Sequence, residues 1–529
     1  AVFKFTEALK FRSQYSVDAT FAQNDGFIPK FNLSVDSIDA PTAERNDVNS
    51  VFIGNDTWRN WQWENLAFYD QEFGVHNLGV VLGTSANYNS GHFSGGANTN
   101  LPTNDAKDAY ISNTIDPIAS QSVYESAFES SFLSYISRVN YEFDDRYLFS
   151  GSFRVDGSSK FGANKRFGYF PSVSLGWVIN NEEFFNAESI SLLKLRASWG
   201  RNGNDRIGNY GFSSVVLTGQ NYTFGVGEDI TNGAVALTVS NPDLQWETTT
   251  QTNFGLDVEL WDGKVNFSTD YYIKNTSDML YNAPIPGIVG AFAPTRNIGE
   301  VRNTGLELFL QYRGKLSVIS YDLSANASFI DNEVLFLGGG DPTFSGGTFV
   351  QGNVAKTDIG QPIASFFGYE TDGIFQTQQE VLDHAFQTEG TAPGDIRFKD
   401  LNGDGVINED DKTYIGNPTP DAIFGFNVGI NYGSFDLSGF LQGVYGNEIF
   451  NASVRYDKPG GNRPAYTLER WTGPGTSDSE PRVGINDPNN NARVSDRFIE
   501  DGSYLRLKNV QLGYSPKLAF LNRANISKL

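Results

Sequence analysis

The chain has 529 residues, and its 62 acidic and 39 basic side chains leave a net charge of −23. Nucleic acid is therefore not an expected partner, because phosphate binding requires a basic surface. Cysteine is absent and histidine occurs three times, which excludes disulfides and thiolate metal sites and argues against a histidine-rich zinc site. No stretch approaches the ~18 apolar residues of a membrane-spanning helix, but a transmembrane strand needs only every second residue to be apolar.

Alternation of apolar and polar residues is the dominant pattern along the chain. Leu133, Tyr135 and Val139, for example, share one parity, whereas the polar Ser134 and Arg138 lie between them. This period of two places successive side chains on opposite faces of a sheet. The pattern predicts about 15 strands, near 6–21, 57–72, 76–88, 129–143, 147–157, 167–179, 191–200, 246–260, 265–276, 302–313, 317–330, 422–432, 435–447, 501–513 and 519–529.

Strand length and connection length favour a membrane barrel over a soluble sandwich, although both folds produce such alternation. Many predicted strands exceed the usual ~5–6 residues of soluble strands and are long enough for a tilted membrane span. Short and long connections alternate, as in outer-membrane barrels, where periplasmic turns are short and extracellular loops are long. We therefore expect an all-β transmembrane antiparallel barrel with long connections at about 23–56, 89–126, 157–166, 201–245, 277–301, 331–421 and 448–499.

The strand count and one irregular strand refine this expectation. Complete bacterial barrels have an even number of strands, and neither end of the sequence reads as a domain boundary. We therefore expect residues 1–529 to form a partial barrel that belongs to a longer protein. In the strand near 501–513 the apolar parity switches between Leu507 and Val510, which predicts a β-bulge.

Six segments carry the most specific sequence patterns of the chain. They are RVNYEFDDRYLFSGSFRVDGSSKFGANKRFGYFPSVSLGWVINNEEFF at 138–185, LLKLRASWGRNGN at 192–204, NPDLQWETTTQTNFGLDVELWDGKVNFSTDYY at 241–272, NIGEVRNTGLELFLQY at 297–312, DIRFKDLNGDGVINEDDKTYIGNPTPDAIFGFNVGINYGSFDLSGFLQG at 395–443 and SYLRLKNVQLGYS at 503–515. Together, and in this order, they resemble the barrel of SusC/RagA-like TonB-linked outer-membrane transporters.

This resemblance implies a barrel of about 22 strands, an amino-terminal plug domain and a periplasmic segment that contacts TonB. It also implies a location in outer-membrane lipid and a SusD-like lipoprotein that covers the extracellular mouth and captures the cargo. Members import oligosaccharides, or sometimes peptides, with energy that TonB transmits from the inner-membrane proton gradient. The plug, the TonB-contacting segment and the first and last barrel strands have no counterpart in this sequence, so we do not expect this part alone to transport.

The sharpest local motif is DLNGDGVINEDD at 400–411, within the predicted extracellular connection 331–421. Its oxygen-bearing side chains and its central glycine have the spacing of an EF-hand calcium loop. The predicted ligands of a structural Ca²⁺ ion are Asp400, Asn402, Asp404, the carbonyl oxygen of Val406, Asn408 (directly or through water) and Asp411. The last position of such loops is usually a bidentate Glu, and no helix pair is predicted here, so an unliganded acidic turn is the alternative.

Aromatic residues in and near the long connections have two candidate roles. They could stack on sugar rings, or they could belong to the interfacial girdles where most barrel Trp and Tyr residues lie. The candidates are Trp58, Trp61, Trp63, Tyr69, Phe344, Phe349, Phe366, Phe367 and Tyr369. The acidic excess of the chain disfavours anionic cargo and suits neutral glycans.

No arrangement of residues indicates catalysis, and we predict that the protein is not an enzyme. Glu182 and Glu183 are adjacent, so they cannot converge across a glycosidic bond, and we expect them at a helix start in a turn. His76, His92 and His384 have no partner nearby in the sequence. Two alternatives to the transporter remain. One is a siderophore- or cobalamin-type TonB-dependent receptor, and the other is a calcium-stabilised secreted glycan-binding or adhesin module whose apolar faces pack together.

Overall fold

A computed structural model describes residues 1–32, 45–115, 120–224, 229–282, 285–338, 344–349, 351–453, 463–484 and 486–515. Fifteen strands form one antiparallel sheet in which each strand pairs with the next one along the chain. They are Val2–Lys4, Leu9–Ile28, Ser50–Phe73, His76–Thr99, Ser122–Phe143, Tyr147–Ser158, Phe167–Val178, Ile190–Asn204, Glu247–Leu260, Val265–Ser277, Glu300–Leu316, Ile319–Phe336, Ala422–Tyr432, Phe435–Tyr445 and Tyr504–Tyr514.

The connections contain shorter elements. Their strands are Phe31–Asn32, Arg45–Asn46, Val216–Thr218, Tyr222–Phe224, Asp229–Thr231, Ala234–Ala236, Leu280–Asn282, Thr295–Asn297, Phe344–Phe349, Gly352–Thr357, Ser365–Tyr369, Thr371–Ile374, Ile396–Phe398, Lys412–Gly416, Glu448–Phe450 and Ile499–Asp501. The α-helix is Gln378–Asp383, and the 3₁₀ helices are Ala106–Asp108, Ile179–Asn181, Gly287–Val289, Glu409–Asp411, Ala465–Glu469 and Asp496–Phe498. No helix in the described ranges is long and apolar enough to cross a membrane.

The strand prediction is confirmed for every predicted strand that falls on described residues; 519–529 lies outside them. Several strands are longer than predicted, because their polar outer portions continue the backbone pairing without apolar alternation. The strand Ile319–Phe336, for example, extends past residue 331, so the connection that was predicted to begin there begins at 337. Val2–Lys4 was not predicted, since three residues are too few to show a period.

The two faces of the sheet differ in polarity. Strand register places Phe254 opposite both Ala197 and Tyr271. Apolar residues of neighbouring strands therefore lie side by side on one face of the sheet. Side chains on this apolar face remain uncovered, with Tyr169, Leu175 and Phe254 exposed by 60%, 55% and 56%. A soluble sandwich would bury this face, so the alternative of a secreted module with packed apolar faces is wrong. The other face carries most of the polar side chains of the sheet and becomes the inner wall when the sheet curls into a barrel.

Aromatic rings line the short-connection end of the apolar face. The pairs Phe143–Tyr147, Tyr312–Tyr321 and Phe435–Tyr514 have ring centroids 6.2, 5.4 and 4.7 Å apart. Tyrosine and similar amphipathic rings favour the depth of the lipid headgroups. This row is the girdle that a barrel presents at one membrane interface.

Short and long connections alternate between the two ends of the sheet, as predicted. One end has 5–8, 74–75, 144–146, 179–189, 261–264, 317–318 and 433–434. The other end has 29–49, 100–121, 159–166, 205–246, 278–299, 337–421 and 446–503. The buried apolar clusters lie among the long connections and their strand ends, for example around Phe161 and Trp246 and around Phe398 and Ile407. Among the described residues, the apolar face of the sheet is left uncovered by the rest of the chain, as expected for a face that contacts lipid.

The predicted β-bulge is confirmed at Lys508. Phe440 pairs with Asn509 and Leu441 with Leu507, so Lys508 is the extra residue. The bulge places Leu507 on the same face as Val510. Without the bulge, the apolar residues before Lys508 would point to the polar wall.

The sheet predicts a face-dependent cost for a charged substitution. We expect Phe426→Arg, in the middle of Ala422–Tyr432, to destabilise the folded protein by about 2–4 kcal/mol, because the apolar face contacts hydrocarbon. The matched control is Asn427→Arg, which lies next to it on the opposite face and should change stability little. Urea titration of the full-length protein in lipid vesicles, followed by heat-modifiable gel migration, measures both. Equal losses for the two variants would contradict the assignment of the faces.

Candidate functional site

The predicted cation loop 400–411 is a tight acidic turn after the strand Ile396–Phe398. The Oδ1 atom of Asp400 accepts a hydrogen bond from the Gly403 N–H at 2.8 Å, and its Oδ2 atom accepts one from the Gly405 N–H at 2.9 Å. Gly403 and Gly405 have φ angles of 74° and 83°, which side chains with a Cβ rarely adopt. The glycines therefore allow the backbone to curl around the Asp400 carboxylate.

The middle of the loop is exposed and holds further oxygen atoms. Asn402 accepts a hydrogen bond from the Asp404 N–H at 2.9 Å, and Asp404 accepts one from the Val406 N–H at 2.8 Å. The hydrogen bond from Val406, followed by that from the Asn402 side chain, lowers the pKa of Asp404 below its ordinary value. The Asn408 side-chain amide is 3.4 Å from the Val406 carbonyl oxygen. Carboxylate, amide and carbonyl oxygen atoms thus lie together in this exposed part of the loop.

Asp411 differs from the other predicted ligands because it is fully buried. Its Oδ1 atom accepts from the Leu401 N–H at 2.9 Å, and its Oδ2 atom accepts from the Asn408 N–H at 2.8 Å. The carboxylate thus closes the loop by joining its two ends. Within the described ranges, no group of three or more His, Cys, Asp or Glu side chains lies close enough together to hold a metal ion. A bound cation would therefore depend on amide and backbone oxygens as well as on carboxylates.

Two long connections, 337–421 and 446–503, pack against each other, and we call their described residues the cap. Asp395 belongs to the first connection and is 1% exposed. Its carboxylate accepts hydrogen bonds from Nε and Nη2 of Arg482 in the second connection, at 2.8 and 2.9 Å, and from Asn491 Nδ2 at 3.0 Å. The Asp395 hydrogen bonds raise the pKa of Arg482. This ion pair joins the two connections.

A buried network of amide side chains extends this contact. Gln387 donates to the Asn489 Oδ1 atom at 2.8 Å and accepts from the Phe398 N–H at 2.8 Å. Asn489 in turn donates to Asn491 Oδ1 at 2.8 Å. Buried polar groups are costly unless they are paired, so the network favours one arrangement of the two connections. The sequence did not reveal this network, because its members lie about a hundred residues apart and show no common motif.

The inner wall of the sheet carries charged side chains at its short-connection end. A concave region of about 750 Å³ is lined by Asp70, Glu72, Glu142, Lys194 and Arg196, among others. Both acidic and basic groups thus face the lumen. This polarity fits a wet or protein-filled interior.

The predicted aromatic candidates separate by face. Trp61 and Trp63 lie on the apolar face, whereas Trp58 lies on the inner wall. Trp58 is 5.4 Å from Phe93, and Phe93 is 6.0 Å from Phe128, measured between ring centroids. We call Trp58, Phe93 and Phe128 the lumen aromatic cluster.

The lumen aromatic cluster depends on a glycine. A Cβ atom at Gly91 would lie 2.3 Å from the Phe128 ring, so a larger residue would displace that ring. Trp58 pairs with Gly91 in the strand register. The sequence alone could have placed Trp58 on the inner wall, because it is at an even position whereas Phe73 and Tyr69 of the apolar face are at odd positions of the same strand.

The remaining aromatic candidates stabilise the cap. Tyr369 is 5% exposed and packs against Phe398. Phe349 stacks on Phe450 at 5.5 Å, and Phe366 lies 6.3 Å from the same ring. Phe367 packs against Tyr414 at 5.3 Å. The side chain of Phe344 lies outside the described residues.

Glu182 has a structural role at a short connection. It accepts hydrogen bonds from Tyr147 Oη at 2.6 Å and from Trp177 Nε1 at 2.8 Å, and it pairs with Arg146 at 3.1 Å. These bonds, with that from Tyr147 the largest influence, lower the pKa of Glu182. The residue follows the 3₁₀ helix Ile179–Asn181 and caps its carboxyl end. The expected helix start at this position is therefore wrong, since the helical turn precedes the carboxylates.

The sequence profile of the family described as TonB dependent receptor-like, beta-barrel matches residues 3–527. The chain belongs to this TonB-dependent receptor family. It is 31% identical to TonB-dependent receptor P3 of Formosa agariphila over 99% of the chain and 51% of that relative. It is 29% identical to TonB-dependent receptor SusC of Bacteroides thetaiotaomicron over 84% of the chain and 43% of that protein.

A solved structure of the RagAB peptide transporter superposes on this TonB-dependent receptor chain with a TM-score of 0.81 and 25% identity, over 98% of the chain and 55% of that structure. The resemblance to SusC/RagA-like proteins is thus confirmed, and the chain is part of an outer-membrane β-barrel. The chain spans about half the length of the curated relatives that it matches.

The cap predicts a local loss of stability when its ion pair is removed. We expect Asp395→Ala to destabilise the cap by about 2–3 kcal/mol, less than the ~3–5 for a fully buried pair, because the Arg482 guanidinium retains contact with water. Limited proteolysis of the full-length protein should then cut 463–503 several-fold faster. The control is Asp372→Ala, which removes the exposed ion pair with Arg397 and should leave the cleavage rate unchanged. Equal rates for the wild type and Asp395→Ala would contradict this role.

Proposed function

We propose that the whole protein imports oligosaccharides or peptides across the outer membrane, with energy from TonB and with a SusD-like lipoprotein over its extracellular mouth. The observation that supports this most strongly is the similarity to TonB-dependent receptors along nearly the whole chain, including SusC. The comparison with the RagAB peptide transporter supports peptides as one cargo class. The long connections, including the cap, would then face the outside of the cell.

The lumen aromatic cluster supports a cargo with sugar or aromatic rings. Trp58, Phe93 and Phe128 contact one another on the inner wall, and none of the three rings faces lipid. Rings of this kind stack on the apolar faces of sugars and on aromatic side chains. A siderophore or cobalamin receptor without a lipoprotein lid has less support, because the sequence blocks resemble SusC/RagA-like proteins.

Import can be tested in the cell by deleting the gene for the full-length protein. We expect the deletion strain to lose uptake of fluorescently labelled oligosaccharide and peptide pools, and an uncoupler of the proton gradient to abolish uptake in the wild type. Diffusion of a small sugar through porins serves as the control and should not change. Uptake that persists in the deletion strain, or that is insensitive to the uncoupler, would refute the proposal.

The same assay tests the lumen aromatic cluster. Trp58→Ala should reduce uptake several-fold, because the inner wall loses a stacking ring worth about 0.5–1.5 kcal/mol beyond its buried area. Trp61→Ala is the matched control on the opposite face of the same strand and should retain wild-type uptake at equal expression. A similar effect of both variants would place the rings outside the cargo path.

The lipoprotein can be tested independently. Tagged full-length protein purified from outer membranes should contain a SusD-like lipoprotein encoded beside its gene in about equal amount. A receptor that purifies alone under mild detergent conditions would count against this partner, whereas the import assay would be unaffected.

We also propose that the loop 400–411 binds Ca²⁺ as a structural ion. Asp400, Asn402, Asp404, Val406 and Asn408 supply oxygen atoms on the curled backbone described above, which suits a hard cation. Asp411 supports the site by closing the loop. The ion would hold the loop against the buried apolar cluster of the cap that contains Phe398 and Ile407.

Calcium binding predicts a loss of affinity for isosteric variants that remove charge. Asp404→Asn keeps the side-chain oxygen that accepts the Val406 N–H, whereas Asp400→Asn loses one of the two oxygens that accept the N–H groups of Gly403 and Gly405. We expect each variant to weaken Ca²⁺-dependent protection of 395–415 from proteolysis about tenfold or more. Asp410→Asn is the matched control, because Asp410 lies outside the ligand set. Mg²⁺ in place of Ca²⁺ should protect less. Protection that does not respond to a chelator would rule the ion out.

A further inference from the structure

The second connection of the cap contains a pocket of about 620 Å³ lined by four arginines. Arg463, Arg470, Arg482 and Arg497 surround it, together with the acidic Glu480 and Asp487. The walls are the 3₁₀ helix Ala465–Glu469 and the facing residues 480–484 and 487–497. Among the lining residues the arginines outnumber the acidic residues, although the chain has a net charge of −23.

Three of the four arginines, Arg463, Arg482 and Arg497, already have interaction partners within the protein. Glu480 pairs with Arg497 at 2.6 Å. Asp487 accepts the N–H groups of Asn491 and Ala492 at 2.9 and 3.0 Å, so its carboxylate is engaged by the backbone. Arg482 is paired with Asp395 behind the wall of the pocket.

Arg470 has no counterion in the described part of the chain. Its guanidinium makes no hydrogen bond or ion pair with any described residue, although the side chain is only half exposed. A partly exposed arginine without an internal partner keeps its planar set of N–H donors available to an external anion. The pocket therefore has the charge and the donors for an external anion.

The rim of the pocket adds apolar surface. Leu468 and Val483 are 77% and 75% exposed, and Tyr466 is 39% exposed. An arginine fork binds carboxylate or sulfate oxygens in two parallel hydrogen bonds, while apolar rim residues contact the carbon skeleton next to such a group. The combination suits an anionic group carried on an organic molecule better than a free inorganic ion.

We propose that this arginine pocket binds a carboxylate or sulfate group of the cargo, so that the imported molecule is acidic. This inference rests on the proposed import function and names its substrate class. It replaces the sequence-based prediction of neutral glycans, which used the net charge of the whole chain. The net charge is a poor guide because a pocket of a few arginines sets the local potential that a ligand meets.

Binding to the full-length protein tests the proposal with two matched pairs of probes. One pair is trigalacturonic acid and its neutral methyl ester, and the other is a glutamate-containing peptide and its glutamine counterpart. We expect at least one acidic probe to bind about tenfold or more tightly than its neutral counterpart, as for one or two charge-assisted hydrogen bonds. The pair that shows the difference identifies a glycan or a peptide as the source of the anionic group.

Two substitutions localise the effect. Arg470→Gln should abolish most of the preference for the acidic probe, and Arg470→Lys should restore only part of it, because an ammonium lacks the planar fork. Arg206→Gln is the matched control; this exposed arginine lies in another long connection, 205–246, and its loss should leave the preference intact. Titration calorimetry at two salt concentrations provides the dissociation constants.

The outcomes separate this inference from import itself. Equal binding of acidic and neutral probes, no binding of either acidic probe, or equal losses in Arg470→Gln and Arg206→Gln would overturn the pocket, while uptake in the gene-deletion assay would still stand. Acid-selective binding that depends on Arg470, combined with uptake that survives gene deletion, would instead overturn import.

Discussion

The structure depends on backbone hydrogen bonding in a medium that offers no alternative partners. In hydrocarbon, an unpaired N–H or C=O group costs several kcal/mol, so each strand of the sheet must pair with neighbours along its whole length. The antiparallel register pairs neighbouring strands of the sheet over stretches as long as Ser50–Phe73 with His76–Thr99, and Tyr504–Tyr514 has a partner on one side among the described residues. Once the backbone is paired in this way, alternate side chains meet lipid and lumen, and the polarity of the two faces follows. The same pairing fixes the positions of the connections. Because each strand crosses the whole sheet and reverses direction, all short connections lie at one end of the sheet and all long connections at the other.

The long connections face a different medium and obey different rules. Water is present at that end, so irregular backbone is tolerated and folding depends on small apolar clusters and buried polar pairs. Asp395, Gln387, Asn489 and Asn491 are almost fully buried, yet each has hydrogen-bond partners. The chain therefore combines a sheet whose apolar face points outward with a cap whose apolar residues are buried, as in a small soluble domain. The acidic loop, the arginine pocket and the ion pair between Asp395 and Arg482 all belong to the cap, whereas the aromatic rings on the inner wall belong to the sheet.

What the sequence predicted well was local in the chain. Parity along a strand needs only a few neighbouring residues, and even the bulge at Lys508 left a readable switch between Leu507 and Val510. The spacing of the acidic loop is likewise contained in twelve consecutive positions. The cap was not predictable in the same way. Asp395 and Arg482 are 87 residues apart, and four arginines scattered between 463 and 497 show no period that would bring them around one pocket. Local signals also misled in one place, since the two carboxylates after Asn181 end a helical turn instead of starting one.

The ion pair between Asp395 and Arg482 restrains the two halves of the cap relative to each other. In the chain, the two halves of the cap are separated by the hairpin of Ala422–Tyr432 and Phe435–Tyr445, so each half is anchored to the sheet at its own strand ends. The ion pair between Asp395 and Arg482 links the two halves directly. Each half of the cap is therefore held at its own strand ends and also by the other half, through the ion pair.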